Sequence, residues 1–201
     1  MKGNAMNGTA IGLFLLAAVA LLGSPGPGIA ALLAVTRGGG LRAGLRYYAG
    51  LQVGLALAAG ISAAGLFSLL AAFPVLLKAA SITAVLYLVW LAWKIGSAPV
   101  AAAGSTGVSA SPIGGFFLGI TNPKAYLAFA SLMGSFRLIP IAGVDAAAKW
   151  ILCVAVMMIV DLAWLWVGAL VHHLPLRPRA ERAANVAMGC LILAACAAAL
   201  L

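Results

Sequence analysis

Charge is so scarce along this sequence that its scarcity limits the fold more than any other feature. Six apolar runs follow one another, at about Thr9 to Val35, Ala43 to Leu70, Val75 to Ile95, Ile113 to Phe136, Lys149 to Val171 and Ala183 to Leu201. Each has the length that crosses a bilayer, about 20 residues. Charged residues make up 7% of the 201, with 12 Lys+Arg against 3 Asp+Glu, where soluble domains carry about 25%. So few charges cannot cover a water-facing surface. That excludes a soluble enzyme, a nucleic-acid-binding domain and a disordered chain. The expected fold class is an all-α integral membrane protein of six transmembrane helices, one membrane domain over residues 1–201 with no stretch left for a soluble appendage.

The formal net charge of +9 would point to nucleic acid in a soluble chain. Here the basic residues stand singly or in threes between apolar runs. In that position they orient a membrane protein, and binding of anionic lipid head groups is the lesser, additional reading. One side of the membrane collects Arg37, Arg42, Arg46, Lys94, Arg177, Arg179 and Arg182; the N-terminal side collects Lys2, Lys78, Arg137 and Lys149. The more basic side is expected to be cytoplasmic, which places both termini outside. Lys2, the stretch from Ile11 to Leu22 and Ala18-Val19-Ala20 also fit a signal peptide. Against that, the first segment holds one charge and apolar character resumes directly after Gly28.

From Gly96 to Pro112 the chain is uncharged and rich in Ala, Gly, Ser and Pro, the composition of a flexible linker. It separates two halves of three runs each: repeat one at about 9–95, the linker at about 96–112 and repeat two at about 113–201. Trp90, Trp93, Trp150, Tyr47 and Tyr48 fall near run ends and are expected to anchor at the membrane interface. Trp164 and Trp166 lie deeper and are expected to pack or to line a cavity. His172 and His173 close the fifth run and are expected to be wet. Cys153, Cys190 and Cys196 sit inside apolar runs as small hydrophobes. They lack the spacing and polar company of a metal or redox site.

Polar groups at mid-membrane depth are few: Ser24 with Pro25-Gly26-Pro27-Gly28, Gln52, Thr121-Asn122-Pro123-Lys124, and Asp161. A charge at the bilayer centre costs roughly 2.5–3.5 kcal/mol on insertion scales. Counting from the run starts, Lys124 lies roughly 16 Å deep and Asp161 roughly 18 Å deep, near the middle of a core about 30 Å thick. A Lys124–Asp161 ion pair joining two helices is one reading of this; a polar cavity is the other.

The proline breaks favour the cavity. Proline is excluded from helix interiors but is favoured at the first helical position, behind a Ser or Asn cap. Ser24-Pro25 and Asn122-Pro123 both have that order, although Gly26-Pro27 serves equally as the first start. Each break would open a half-helix whose N-terminal end presents free N–H groups and about half a positive charge. The prolines stand 98 residues apart, each in the first run of its half. Three runs per half is an odd number, so the second half enters from the opposite side, as in a 3+3 inverted repeat with a midplane site and a broken first helix in each half. Two half-helix N-termini and Lys124 would suit a carboxylate, and Asp161 an ammonium or a proton, which together suit a zwitterion. Gly50-x-x-x-Gly54 and Gly115-x-x-x-Gly119 read as close helix packing. Gln52, between the first two glycines, is either an interhelical donor or a cavity residue.

Taken together, Ser24-Pro25-Gly26-Pro27-Gly28, Arg37-Gly38-Gly39, Arg42-Ala43-Gly44, Gly50-Leu51-Gln52-Val53-Gly54-Leu55, Leu86-Tyr87-Leu88-Val89-Trp90-Leu91, Gly115-Phe116-Phe117, Thr121-Asn122-Pro123-Lys124-Ala125 and Asp161 resemble the LysE/RhtB family of amino-acid exporters almost end to end. The Gly-Leu-Gln segment is most similar to the homoserine and homoserine-lactone branch. The resemblance implies six spans, a multi-pass location in a bacterial inner membrane and efflux of a small amino acid by proton antiport. The chain departs from the family at Gly28 and Ile29, where many members have Asn, at Val53 and Leu55, where many have an acid, and at Gly119, where Asn is frequent.

The expected function is therefore a secondary exporter of a small amino acid or derivative. Ser24, Pro25, Gly26, Pro27, Gly28, Gln52, Thr121, Asn122, Pro123 and Lys124 would bind substrate, and Asp161 would carry the proton. The expected partners are the substrate, protons and the lipid bilayer, with no nucleic acid and no cofactor or metal; small-residue faces suit a homodimer. An ion or metal transporter on a related scaffold is the alternative, though it would need a carboxylate or thiolate cluster at depth. An electron carrier would need paired thiols or axial histidines, and an intramembrane enzyme a nucleophile beside a base.

Overall fold

The computed structural model describes residues 8–65 and 111–172 continuously, with scattered positions between 75 and 97 and between 179 and 194. Five helices are described, α1 (Gly8–Gly23), α2 (Pro27–Ala63), α3 (Pro112–Thr121), α4 (Pro123–Ser135) and α5 (Ala142–His172), and there is no strand among the described residues. Most of the third and sixth runs and the linker at about 96–112 lie outside the described residues. Where positions of those two runs are described they are helical. A Cβ on Gly189 would lie 2.9 Å from the Ala92 carbonyl oxygen, so the runs touch there.

The first apolar run is interrupted where its prolines require it. α1 ends at Gly23, and α2 begins with Pro27 as its first residue, at a bend of 58°. Pro27 lacks the N–H that a first-turn residue leaves unpaired in any case, which is why proline is tolerated there. Of the two candidate starts, the chain uses Gly26-Pro27. Ser24 instead finishes α1, its hydroxyl donating to the Leu21 carbonyl at 3.0 Å.

α2 is a hairpin. Gly40 adopts φ 73°, ψ −178°, a left-handed φ that glycine reaches without steric cost. A Cβ on Gly28 would lie 3.6 Å from Leu51 Cδ1, whereas a straight helix would hold those residues about 34 Å apart. The arm at 27–39 therefore continues the first apolar run, and the arm at 41–63 returns beside it along the second. Thr36, fully buried, packs into the space left by Gly44 and Gly168, where a Cβ would collide with it.

The two Gly-x-x-x-Gly motifs pack against each other. A Cβ on Gly50 would strike the Pro112 carbonyl, one on Gly54 the Phe116 carbonyl, one on Gly115 the Tyr47 carbonyl, and one on Gly119 the Leu51 carbonyl. α3 thus runs parallel to the second arm of α2, backbone on backbone, as small-residue motifs permit.

α5 is inverted relative to a helix of a soluble protein. Asp145, Lys149 and Asp161 are buried along one stripe with Cys153, Met157, Leu165 and Gly168. Ile159, Trp166 and Leu170 stand exposed on the other face. A helix apolar all round with its charges turned inward suits hydrocarbon on its outer side, and its hydropathy and 31-residue length are those of a span.

Several expectations are corrected. Tyr47 is fully buried rather than interfacial, because the glycine seam pulls its part of α2 against α3. Lys149 is not an exposed orienting charge; it is 5% exposed and paired with Asp145 at 2.8 Å. α5 starts seven residues earlier than the run does, since Asp145 and Lys149 neutralise each other inside it. Trp166 faces outward, as does Cys190. His172 is half-buried, with Nδ1 2.6 Å from the Arg37 carbonyl oxygen, because the end of α5 closes over the Gly40 turn. Trp150 keeps an exposed ring while its Nε1 donates to the Ala56 carbonyl at 2.9 Å. His173 and Cys196 lie outside the described residues.

Candidate functional site

Asn122 both ends α3 and starts α4. Its φ −70°, ψ 105° leave the helix, and its side chain accepts from the Ala125 N–H, with Pro123 as the first residue of α4. The Asn-cap and proline order thus performs the local task expected of it. At the first break Gly26 offers no side-chain cap. The N–H groups of Gly28 and Ile29, in the first turn of α2, have no acceptor within their own helix.

The two breaks meet, and they meet antiparallel. A Cβ on Gly28 would lie 3.5 Å from Asn122 Nδ2, and one on Gly26 would lie 2.6 Å from Lys124 Cδ. Lys124 Nζ donates to the Ser24 carbonyl and, at 2.7 Å, to Ser24 Oγ, across 100 residues of sequence. The N-terminal ends of α2 and α4 therefore approach one region from opposite directions.

A cavity of about 40 Å³ lies at this meeting point, room for about three waters. Ser24, Gly26, Gly28, Asn122, Lys124 and Asp161 line it. Asp161 is 4% exposed and accepts a hydrogen bond at 2.7 Å from Gln52 Nε2. Gln52 Oε1 is buried without a partner. Lys124 and Asp161 form no ion pair; the pair between Lys149 and Asp145 is the one found among the described residues. Two of the three ammonium donors of Lys124 are used by Ser24. Among the described residues none accepts the third.

Six of the expected residues thus line one cavity, and five do not. Pro25 is exposed and does not line the cavity. Pro27 and Pro123 shape the backbone and have no N–H to offer a ligand. The Thr121 hydroxyl turns back to the Phe117 carbonyl at 2.6 Å. Gln52 stands behind Asp161 as an interhelical donor. The apolar wall was missed: Leu51, Leu55, Ile29 and Met157 belong to it, with Leu21 and Leu22 from α1 and Ala125 and Ala128 from α4. Its one sequence signal is spacing, since Met157 stands one helical turn before Asp161 and Leu51 and Leu55 flank Gln52.

Tyr48 approaches from the next turn of α2, its hydroxyl donating to the Met158 carbonyl at 3.0 Å. No three of His, Cys, Asp and Glu come together among the described residues. Compared with known protein families, residues 19–201 match the family model described as LysE type translocator. No curated protein and no solved structure matches the chain.

Proposed function

Because the chain belongs to the LysE type translocator family of membrane proteins, we propose that it exports a small amino acid or derivative from the cytoplasm across a bacterial inner membrane, in exchange for protons. The observation that carries this reading is a single cavity holding Lys124 and Asp161 unpaired with each other, between two half-helix N-termini. The substrate carboxylate is received by the first-turn N–H groups of α2 and α4 and by the remaining donor of Lys124. The substrate ammonium is received by Asp161. A protonated Asp161 cannot hold the ammonium, so proton binding from outside releases substrate there, and deprotonation toward the cytoplasm restores the site. Leu51, Leu55 and Met157 face the substrate side chain, and the small volume favours a short one.

The antiparallel crossing of the two broken spans supports a 3+3 inverted architecture, in which the shared site opens to either side in turn. Arg37, Arg42 and Arg46 gather around the Gly40 turn, which supports placing that end in the cytoplasm.

The test is counterflow in proteoliposomes loaded in turn with small neutral, acidic and basic amino acids and with homoserine lactone. Saturable exchange of at least one, accelerated by an imposed pH gradient, is expected. Asp161→Asn should lose the response to the gradient. Exchange of none, or an Asp161→Asn variant with the rate and pH dependence of the parent, overturns the reading.

A further inference from the structure

The position of the Lys124 ammonium is unusual for a cavity that also holds a carboxylate. It rests on the oxygens of Ser24 rather than on Asp161. Those oxygens belong to the C-terminal end of α1. The last four carbonyls of a helix lack donors within it, and that end carries about half a negative charge. The Ser24 hydroxyl spends its own proton on the Leu21 carbonyl, which turns its lone pairs to the ammonium. Trp164 Nε1 approaches the neighbouring Gly23 carbonyl at 3.4 Å and covers it from α5. Gly26 leaves the path clear, since a Cβ there would lie 2.9 Å from Nζ itself. A serine closing α1, a glycine two residues later and a lysine on the opposite break together seat a primary ammonium on oxygen ligands.

In membrane proteins with interrupted helices, the C-terminal ends of half-helices and nearby unwound carbonyls hold monovalent cations. We propose that the end of α1 closed by Ser24 is a monovalent-cation site filled in this chain by the tethered ammonium of Lys124, and that a free small cation enters it when the tether is removed. The tether also fastens the first break to the second, so the occupant of the site governs how firmly the two broken spans are held together. This proposal does not depend on what the protein carries, and its test uses no transport substrate.

Purified full-length protein in detergent is melted in methylammonium chloride, in sodium chloride and in choline chloride at equal ionic strength. The parent should respond alike to all three, its site being filled. Lys124→Ala should melt about 2–4 °C higher in methylammonium or sodium than in choline, rising to saturation. Methylammonium alone acting marks a site selective for N–H donors; both acting marks a general monovalent site. The gain should shrink in Lys124→Ala/Ser24→Ala, which keeps the Ser24 carbonyl and loses the hydroxyl. No difference between salts, or the same difference in the parent or the double variant, overturns the proposal. If Lys124→Ala does not fold, lysine-¹⁵Nζ spectra of the parent decide the matter. Protected ammonium signals are expected from both Lys124 and Lys149, and Ser24→Ala should speed exchange of the first alone. An unchanged Lys124 signal in Ser24→Ala overturns the proposal.

Discussion

Two aspartate–lysine couples stand inside the described part of this chain, one buried throughout and one with a half-buried lysine, and they are built in opposite ways. Between α4 and α5, Asp145 and Lys149 saturate each other and their surroundings. Asp145 Oδ1 accepts from the Leu138 and Ile139 N–H groups at 2.6 and 2.9 Å. Lys149 Nζ donates to Asp145 Oδ2, to the Met133 carbonyl at 2.7 Å and to the Phe136 carbonyl at 2.9 Å. All three ammonium donors are thereby spent. At the breaks, Lys124 and Asp161 share a cavity without pairing, and Gln52 Oε1 behind them has no partner. A fully satisfied buried network fixes structure, while an unfinished one is costly to keep unless a ligand completes it. Residue type alone does not separate the two couples; the count of satisfied donors and acceptors does.

That contrast breaks if the closed couple proves dispensable. Lys149→Met leaves Asp145 buried without its cation and should cost about 3–5 kcal/mol of stability, read as an earlier unfolding transition in detergent and a lower yield of folded protein. A loss below about 1 kcal/mol, the scale of an exposed pair, would mean that the network is ornamental. The open couple should behave differently. Asp161→Asn should leave unfolding within about 1 kcal/mol of the parent, yet weaken binding of the exported amine by about 10–100-fold through the missing charge-assisted bond, read by calorimetric titration. A large stability loss without a binding loss would return Asp161 to a structural role. The smallest effect is expected from Ser24→Ala, about 1 kcal/mol in unfolding, because the Ser24 carbonyl still holds Lys124. A larger loss would move that contact into the closed class.

Much of this arrangement could be read from residues alone, for physical reasons. Proline cannot occupy a helix interior without cost, so both interruptions announced themselves, and Asn122-Pro123 specified its start fully. Gly-x-x-x-Gly leaves so narrow a surface that backbone contact was its natural use, as Gly50, Gly54, Gly115 and Gly119 make it. Periodicity could not choose between Ser24-Pro25 and Gly26-Pro27, since both dipeptides permit a first turn. Nor could it see that Lys149 and Asp145 cancel inside α5, because hydropathy counts each charge as a loss and knows nothing of its partner four residues away. Tyr47 misled for a related reason: an amphipathic ring near a run end belongs at an interface only when no helix packs over it. Which side chains reach the cavity was beyond one-dimensional reading, since Gln52 and Thr121 sit at suitable depth, yet Gln52 stands behind Asp161 and the Thr121 hydroxyl turns back to the Phe117 carbonyl.

The glycine seam also has a mechanical meaning. It bolts the returning arm of α2, from the first half of the chain, to α3 in the second, with no side chain between them to act as a bearing. Enlarging the cavity by prying the halves apart would have to tear main chain from main chain along that joint. α1 is fastened through side chains instead: Phe14 is buried edge-on against Phe136, its C-terminal end meets the Lys124 ammonium and the Trp164 indole, and its link to α2 is a three-residue bend. Any shift of α1 against the rest would have to exchange those side-chain contacts, whereas the glycine joint stands as the fixed axle of the machine.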